Sequence, residues 1–276
     1  MPSWLTVLAV APIAYFVLNL VWTFIQNQML QSRLRRWNTS PKDVVILHGF
    51  PPAKALPNLS PYIMKVETYL RLANLRYTLD KKDYFGPKGK SPWITLNGQH
   101  IADSEFIIEF LGKKFEKNFS QKSSDLQLAT ANVVRTMLEE FFTCVLGLER
   151  MIYNDYSKFS SLANIPLPFY YYMRHMIKTR FWEQGIGRHS QEEVTQIMTK
   201  KLQAVSTLLG NQKFFGGDEI CEDDCGIFAV LAQCLWGLPD NSVYEKLMNG
   251  ECSNLKEYCL RIKEKLWADW DHCLAK

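Results

Sequence analysis

The sequence has no cysteine before Cys144, and its seven cysteines follow no regular spacing. A disulfide framework is therefore not expected, and we interpret the thiols as reduced groups of a protein that faces the cytosol. An excess of charge of one sign is also missing, because 32 basic residues are balanced by 28 acidic ones. The net charge of +4 is too small to predict a nucleic-acid partner.

Several common catalytic motifs are absent as well. The chain contains no Gly-x-x-x-x-Gly-Lys loop, no His-Glu-x-x-His motif and no Gly-x-Ser-x-Gly motif, and it has only five histidines. The first two absences argue against a phosphate-binding loop and a zinc hydrolase, and the third against a serine hydrolase. With 276 residues, of which 47% are hydrophobic, the chain can still fold into one large domain or two small ones.

The stretch from Pro2 to Asn27 carries no charged residue and is mostly apolar. About 20 helical residues cross a hydrocarbon core of ~30 Å, so residues 3–26 are predicted to form a transmembrane anchor. Trp4 and Trp22 suit the two membrane interfaces. A cleaved signal peptide is less favoured, because no basic residue precedes the apolar run and no small-x-small cleavage site follows it. A buried helix of a soluble protein is the third alternative.

Residues 27–42 are predicted to be a basic linker between this anchor and the folded body. Four basic residues follow the apolar run and none precedes it: Arg33, Arg35, Arg36 and Lys42. By the positive-inside rule, the body then lies in the cytosol. We expect a single-pass protein of an endomembrane or the lysosome, although no residue selects the organelle.

Residues 43–117 predict an α+β domain. A strand at Val44–Leu47 precedes a helix that starts at Ser60, and a second strand follows at Arg76–Lys81. Asn97-Gly98 joins two short strands, Trp93–Leu96 and Gln99–Ala102, as a hairpin, and a helix follows from Glu105 to Phe115. A βαβ unit followed by an antiparallel ββα unit describes a thioredoxin-like domain.

The remainder of the chain predicts an all-helical domain at residues 126–276, after a linker at 118–125. One long helix is expected from Leu126 to Tyr153. The aromatic and basic run from Tyr170 to His175 either faces a cleft between the domains or packs as an ordinary helix. Cys221 and Cys225 are four residues apart; packed thiols are favoured there over a soft-metal site, and no metal centre is predicted.

Several motifs agree in order with one known family. They comprise Leu59-Ser60-Pro61-Tyr62, the run from Lys88 to Ile94, the run from Ile101 to Ile108, and Phe214–Asp218 with Glu222–Cys225. This chain resembles the failed axon connections family, in particular its nematode cadmium-responsive members. The resemblance implies a metaxin-related glutathione S-transferase fold, with a thioredoxin-like domain followed by the transferase-type helical domain.

Ser60 has two interpretations. From the residues alone, Ser60-Pro61 is an N-cap and first helical position, which stabilises the helix by about 1 kcal/mol. The resemblance implies instead a catalytic Ser60, whose hydroxyl donates a hydrogen bond to the sulfur of glutathione and lowers the pKa of the thiol.

The resemblance also implies a set of glutathione-binding residues: Lys90, Pro92, Trp93, Asp103 and Ser104. A cis Pro92 would present the backbone of Trp93 to the cysteinyl part of glutathione. Asp103 and Ser104 would hold the γ-glutamyl end, or else only cap the helix that follows. Lys88 or Lys90 could reach the glycine carboxylate, although a solvated loop lysine is the more common outcome.

One departure from the family pattern bears on function. Transferases place a helix between the second strand and the conserved proline, whereas here only Lys82 to Ser91 separate them. We therefore expect either of two functions. The first is a membrane-anchored transferase that acts in cadmium or xenobiotic stress, uses glutathione as co-substrate and forms homodimers. The second is a non-catalytic, metaxin-like adaptor, or a protein of development.

Overall fold

The computed structural model describes the backbone of residues 4–275 and the side chains from residue 10 onward. Residue 3, where the predicted anchor begins, residue 276 and the side chain of Trp4 lie outside this description. The helices are α1 Trp4–Trp37, α2 Pro61–Leu72, α3 Ser104–Phe115, α4 Asp125–Met137, α5 Thr143–Met151, α6 Tyr156–Leu162, α7 Leu167–Gln184, α8 Gln191–Leu209, α9 Glu222–Trp236, α10 Val243–Asn249 and α11 Ser253–Leu266. The strands are β1 Val45–His48, β2 Tyr77–Asp80, β3 Trp93–Leu96 and β4 Gln99–Ala102.

The first helix is long and largely exposed. Its part from Val10 to Trp37 is long and apolar enough to cross a membrane, and the rest of the protein buries none of its most apolar window. The helix does not stop at residue 26, because it continues for about three more turns through Trp37. Good helix formers such as Gln, Leu and Arg occupy this extension, so residues 27–37 of the predicted linker are helical.

The four strands form one sheet in the order β2-β1-β3-β4. β1 pairs in parallel with β2 and antiparallel with β3, and β3 pairs antiparallel with β4. Asn97 and Gly98 have φ values of 49° and 78°, as the two-residue hairpin predicts. The thioredoxin-like topology expected from the sequence is confirmed.

The two faces of the sheet are covered differently, because successive side chains of a strand point to opposite sides. Val45, Leu47 and Ile94 face α2 and α3 and are buried with them in one apolar cluster. His48, Trp93 and Thr95 face the other way and are also buried. No helix lies between β2 and β3 in the described chain.

The helical half is built around α9, which is buried along nearly its whole length. Asp224 fixes the start of this helix, since its carboxylate accepts hydrogen bonds from the backbone N–H groups of Phe215, Gly216 and Cys221 at 2.9 to 3.0 Å. The hydroxyl of Tyr258 donates a fourth at 2.9 Å. α9 also packs along α2, so the central helix connects the two halves of the fold.

Three features of the helical half differ from the sequence prediction. The helix expected from Leu126 to Tyr153 is interrupted by one π turn at Leu138–Phe142. The short helices α6 and α10 were not predicted. Each spans only seven residues, and such a short run carries little apolar periodicity.

Candidate functional site

The candidate site lies at one edge of the sheet, where β1 ends and α2 and α3 begin. The strand register places His48 of β1 opposite Trp93 of β3, and Trp93 opposite Ala102 of β4. Asp103 and Ser104 follow Ala102 directly. A buried lysine of α2, Lys65, also reaches Glu105 of α3. The structure therefore brings the first turns of both helices close together at this edge.

Ser60 is the N-cap of α2, and Pro61 is its first residue. The Ser60 hydroxyl accepts a long hydrogen bond of 3.5 Å from the backbone N–H of Ile63. The hydroxyl proton is not used by this contact, so it can be donated to a ligand at the positive end of the helix. Both interpretations of Ser60 are compatible with this geometry.

The segment just before Ser60 is held by residues of the helical half that the sequence analysis did not single out. Arg150 is buried and donates to the backbone oxygens of Leu59 and Gly237, each at 2.8 Å. Its third contact is the side-chain oxygen of Gln233 at 2.6 Å. Gln233 in turn donates to the Asn58 carbonyl at 3.0 Å. These two side chains thus fix the backbone that presents Ser60.

Burial lowers the pKa of Arg150 to about 10, and its close partners are neutral oxygens. The guanidinium remains charged at neutral pH, and we assign it a positioning role. Nothing in the sequence near Arg150 marks it, since its partners are more than 80 residues away along the chain.

The Ser91–Pro92 peptide bond is cis, as the resemblance implies. Trp93 is fully buried, and its indole N–H donates to the Asp83 carbonyl at 2.8 Å. Lys90 lies in an exposed loop, where its own carbonyl accepts a bond from Gly86. Lys88, not Lys90, reaches toward α3, with its ammonium 4.6 Å from the ring centre of Phe106.

Asp103 is the N-cap of α3 and has a φ of 85°, a conformation that is strained for a residue with a side chain. Its carboxylate accepts a hydrogen bond of 3.1 Å from the Glu105 N–H. Ser104 is buried at the first helical position. Strained residues concentrate at ligand sites, so the conformation of Asp103 marks the start of α3 as a candidate ligand contact.

A cluster of charges lies directly behind this edge. Lys65 is 1% exposed and contacts Glu105 at 2.6 Å and Glu139 at 2.7 Å. Arg135 contacts the same two glutamates at 3.1 and 2.9 Å and also pairs with Asp223. The cluster thus joins α2 and α3 to the helical half.

The π turn and a glycine allow this cluster to form. The Glu139 carbonyl, inside the π turn, accepts a hydrogen bond from the Tyr62 hydroxyl at 3.1 Å. Burial raises the pKa of Tyr62, so this phenol remains a neutral donor. A Cβ on Gly226 would lie only 2.7 Å from a carboxylate oxygen of Glu139, so only glycine fits there.

The opposite face of the sheet is closed by the end of α1. Trp37 packs edge-on against His48, and the His48 ring stacks on Trp93 with 3.6 Å between centroids. The Trp37 indole N–H donates to the Asp83 carboxylate at 2.8 Å, and Arg36 contacts the same carboxylate at 3.1 Å. The end of the N-terminal helix therefore covers the sheet face that no helix between β2 and β3 protects.

His48 connects this face to β2 and β3. Its ring nitrogens lie 2.8 Å from an Asp80 carboxylate oxygen and 3.0 Å from the Thr95 hydroxyl. Burial lowers the pKa of His48, although the charge of Asp80 opposes that shift. The imidazole is therefore neutral near neutral pH.

A cavity of about 170 Å³ lies on the β2 side of the sheet edge. Gly49, Asn58 and Asp80 line it together with Cys273 of the C-terminal segment. None of the six predicted site residues contributes to its wall. The groove expected for glutathione is thus distinct from this cavity.

Comparison with known proteins identifies the fold independently of these contacts. The family model described as glutathione S-transferase N-terminal domain matches residues 61–156. The model for the glutathione S-transferase C-terminal domain matches residues 198–262. The chain also superposes on the β-etherase LigF of Sphingobium with a TM-score of 0.56 and 15% identity, over 82% of this chain and 99% of that one. At this identity the likeness shows the fold alone.

Three curated relatives are informative. Failed axon connections of Drosophila melanogaster is 34% identical over 85% of this chain, and the chain spans only 61% of its length. An isoprene-epoxide–glutathione S-transferase of Rhodococcus is 26% identical over 68% of this chain and 85% of that protein. Metaxin-2 of Mus musculus is 23% identical over 75% of this chain and 82% of that protein. These matches confirm the resemblance to failed axon connections, while the nematode cadmium-responsive branch stays a prediction.

Proposed function

Because this chain is a metaxin-related protein of the glutathione S-transferase-like fold, with failed axon connections among its relatives, we propose that it binds glutathione at a membrane. In this proposal the N-terminal helix is the anchor and the sheet edge at Ser60 is the binding site. The observation that carries it is the convergence of two helix N-termini at that edge, one of them capped by the strained Asp103.

Each predicted residue has a defined task in this site. Ser60 donates its hydroxyl proton to the sulfur of glutathione, and the α2 N-terminus adds a positive potential, so that the thiolate is favoured. Ser104 and the first N–H groups of α3 hold the γ-glutamyl carboxylate, and Asp103 holds its ammonium. The backbone at Pro92 and Trp93 aligns the cysteinyl part between them.

The reaction that we propose is conjugation of the glutathione thiolate to an apolar electrophile. The sulfur attacks an electrophilic carbon and forms a C–S bond, while the electron pair of the broken bond goes to the leaving oxygen or halide. The Rhodococcus relative is named for an epoxide of this apolar kind. A role in cadmium or xenobiotic stress would follow from such chemistry.

The glycine end of glutathione finds no equivalent support. The sheet face next to Trp93 is covered by Trp37 and the Lys82–Ser91 loop, where transferases place a helix. Only the loop lysines Lys88 and Lys90 are predicted for the glycine carboxylate, and we expect binding weaker than that of a complete site.

Titration calorimetry of glutathione into the full chain in detergent tests the site. We expect heat at millimolar glutathione, and its loss in Asp103→Ala and Ser60→Ala. Ser242 caps α10 with a 3.1 Å hydrogen bond and Asp155 caps α6, so Ser242→Ala and Asp155→Ala are matched controls for lost caps. Absence of heat in the wild type would remove the enzyme proposal, and binding that survives Asp103→Ala would show that the pocket lies elsewhere.

A second candidate is a non-catalytic adaptor, and one observation favours it. The end of α1 covers the sheet face on which the family pattern expects a helix, and a protein that only assembles at a membrane would tolerate this change. The relatives that support this candidate are failed axon connections and metaxin-2. Glutathione binding without conjugation of any tested epoxide would favour it.

The anchor itself is testable separately. We propose that α1 crosses the membrane once and that the body faces the cytosol, since basic residues lie only on the body side. Arg33 and Arg36 also bind the body, through the Phe85 carbonyl and the Asp83 carboxylate. Resistance to carbonate extraction would support the anchor. Glycosylation of an engineered sequon on an exposed loop would place the body in the lumen and contradict the orientation.

A further inference from the structure

The segment between the two family-model matches, residues 157–197, contains a helix with an unusual surface. α7 packs inward through Tyr170 and Phe181. Its outer side exposes large apolar side chains by 44 to 58% of their area: Leu167, Phe169, Tyr171, Tyr172, Met176 and Trp182. We call these six residues the α7 aromatic face. A soluble surface helix normally carries polar residues there.

The charge of this segment is as distinctive as its aromatic content. Residues 156–190 contain five basic residues and one acidic residue, so their net charge of +4 equals that of the whole chain. The five are Lys158, Arg174, Lys178, Arg180 and Arg188, against Glu183. Arg174 is used internally on the carbonyls that end α5, but Lys178 and Arg180 are exposed beside the aromatic face.

Contacts connect this face to the end of the N-terminal helix. Arg33 of α1 donates to the Phe85 carbonyl at 2.8 Å, and the Phe85 ring packs against Phe50 at 5.9 Å. A few residues further along the same loop, Lys54 binds the Leu162 carbonyl of α6 with its N–H. α6 leads into α7 after a short connection, so these contacts link the end of α1 to the start of α7.

We infer that the α7 aromatic face, with Lys178 and Arg180, rests on the surface of an anionic lipid bilayer. Tyrosine and tryptophan favour the membrane interface, where the ring is embedded and the polar atom stays hydrated. Basic residues beside them are attracted to anionic headgroups. On α7, exposed aromatic rings and cations are intermixed on the outer side of the helix. The inference extends the proposed anchor, because α1 would hold this face near the membrane.

The test uses the full chain with a fluorescent probe on a cysteine introduced at Met176. The control probe is placed at Leu260, an exposed residue of α11. Cys144→Ser and Cys273→Ser remove the two partly exposed native thiols. Both proteins are reconstituted into phosphatidylcholine vesicles with or without phosphatidylserine, and quenching by brominated lipid is measured.

We expect lipid quenching at position 176 in vesicles with phosphatidylserine and none at position 260. The Lys178→Glu and Arg180→Glu double variant should lower the equilibrium constant for contact between this face and the bilayer by about fivefold for each cation lost, and high salt should weaken the contact as well. A probe at 176 that stays as water-exposed as the one at 260 would overturn the inference. Shielding at 176 that needs no lipid would assign the face to a second copy of the chain, which also overturns it.

Failure of the anchor gives a different result. A chain that does not float with neutral vesicles lacks the anchor. Quenching at 176 on added phosphatidylserine vesicles would then still support the α7 inference.

Discussion

The substitution Lys65→Met tests whether the buried charge cluster holds the two halves of the fold together. It removes the ammonium that lies 2.6 Å from Glu105 and 2.7 Å from Glu139 and keeps most of the apolar stem volume. Breaking a buried ion pair on one side costs about 3–5 kcal/mol, because the remaining charge is left without a partner. Glu139 is 10% exposed but keeps Arg135 at 2.9 Å. We therefore expect a loss of about 2–3 kcal/mol.

Glu105 adds little to this value, because its side chain is 51% exposed and water replaces the lost ammonium. The relevant charge is Glu139, and the double variant Lys65→Met with Glu139→Gln should recover about half of the loss. Both variants leave the Gly226 contact with the residue at 139 in place, so packing at α9 is preserved.

The free energy of unfolding of the full chain in detergent, followed by tryptophan fluorescence, measures the effect. Lys113→Met is a matched control, because Lys113 and Glu109 are 2.5 Å apart but 76% and 55% exposed. This control should lose less than about 0.5 kcal/mol. A Lys65→Met loss as small as that of the control, or a double variant no more stable than the single one, would refute the assignment.

Three further substitutions probe the surroundings of the site. Trp37→Ala should lower the free energy of unfolding by about 2 kcal/mol, because a half-buried ring and its hydrogen bond to Asp83 are lost. Trp37→Phe should lose only the hydrogen bond, which is worth about 1 kcal/mol in the same unfolding assay. Burial holds the pKa of His48 below its usual value, so the unfolded chain binds a proton on this imidazole more readily than the folded chain does. The free energy of unfolding should therefore fall as the pH drops below about 6.5, and His48→Gln should lose this pH dependence. An unchanged pH dependence in the variant would contradict the prediction. Asp224→Ala should lower the free energy of unfolding by about 4 kcal/mol or more, since three backbone N–H groups and the Tyr258 hydroxyl lose a buried acceptor. A decrease of less than about 1 kcal/mol, measured by calorimetric unfolding, would contradict this prediction.

Features encoded by neighbouring residues were predictable from the sequence. The hairpin at Asn97-Gly98 begins and ends at the predicted residues, because the turn type fixes the register of both strands. The helices at Ser60 and Asp103-Ser104 start where their capping residues indicate. The fold class and its transferase likeness are confirmed for the same reason, since they rest on the order of these local signals.

Features that depend on distant contacts were not predictable. Lys65 reads as one polar position in an amphipathic helix, yet it is buried because Glu139, 74 residues later, supplies a counter-charge. Arg150 looks like an ordinary helical arginine and instead holds the backbone before Ser60. Such partners meet only after the helical half has packed against α2, and no spacing within either segment predicts the pairing.

The end of α1 relates the membrane to the candidate site. Without the end of α1, the ring of His48 would lose its cover on this face, although the Lys82–Ser91 loop would still pack on Trp93 through Gly86. Trp37 prevents this by packing on His48, so the body needs the helix that also serves as the proposed anchor. Any force that withdraws α1 from the sheet would therefore uncover the His48–Trp93 stack, which lies at the start of the strand that would align glutathione. The proposed anchor and the candidate site are in this sense one structural unit.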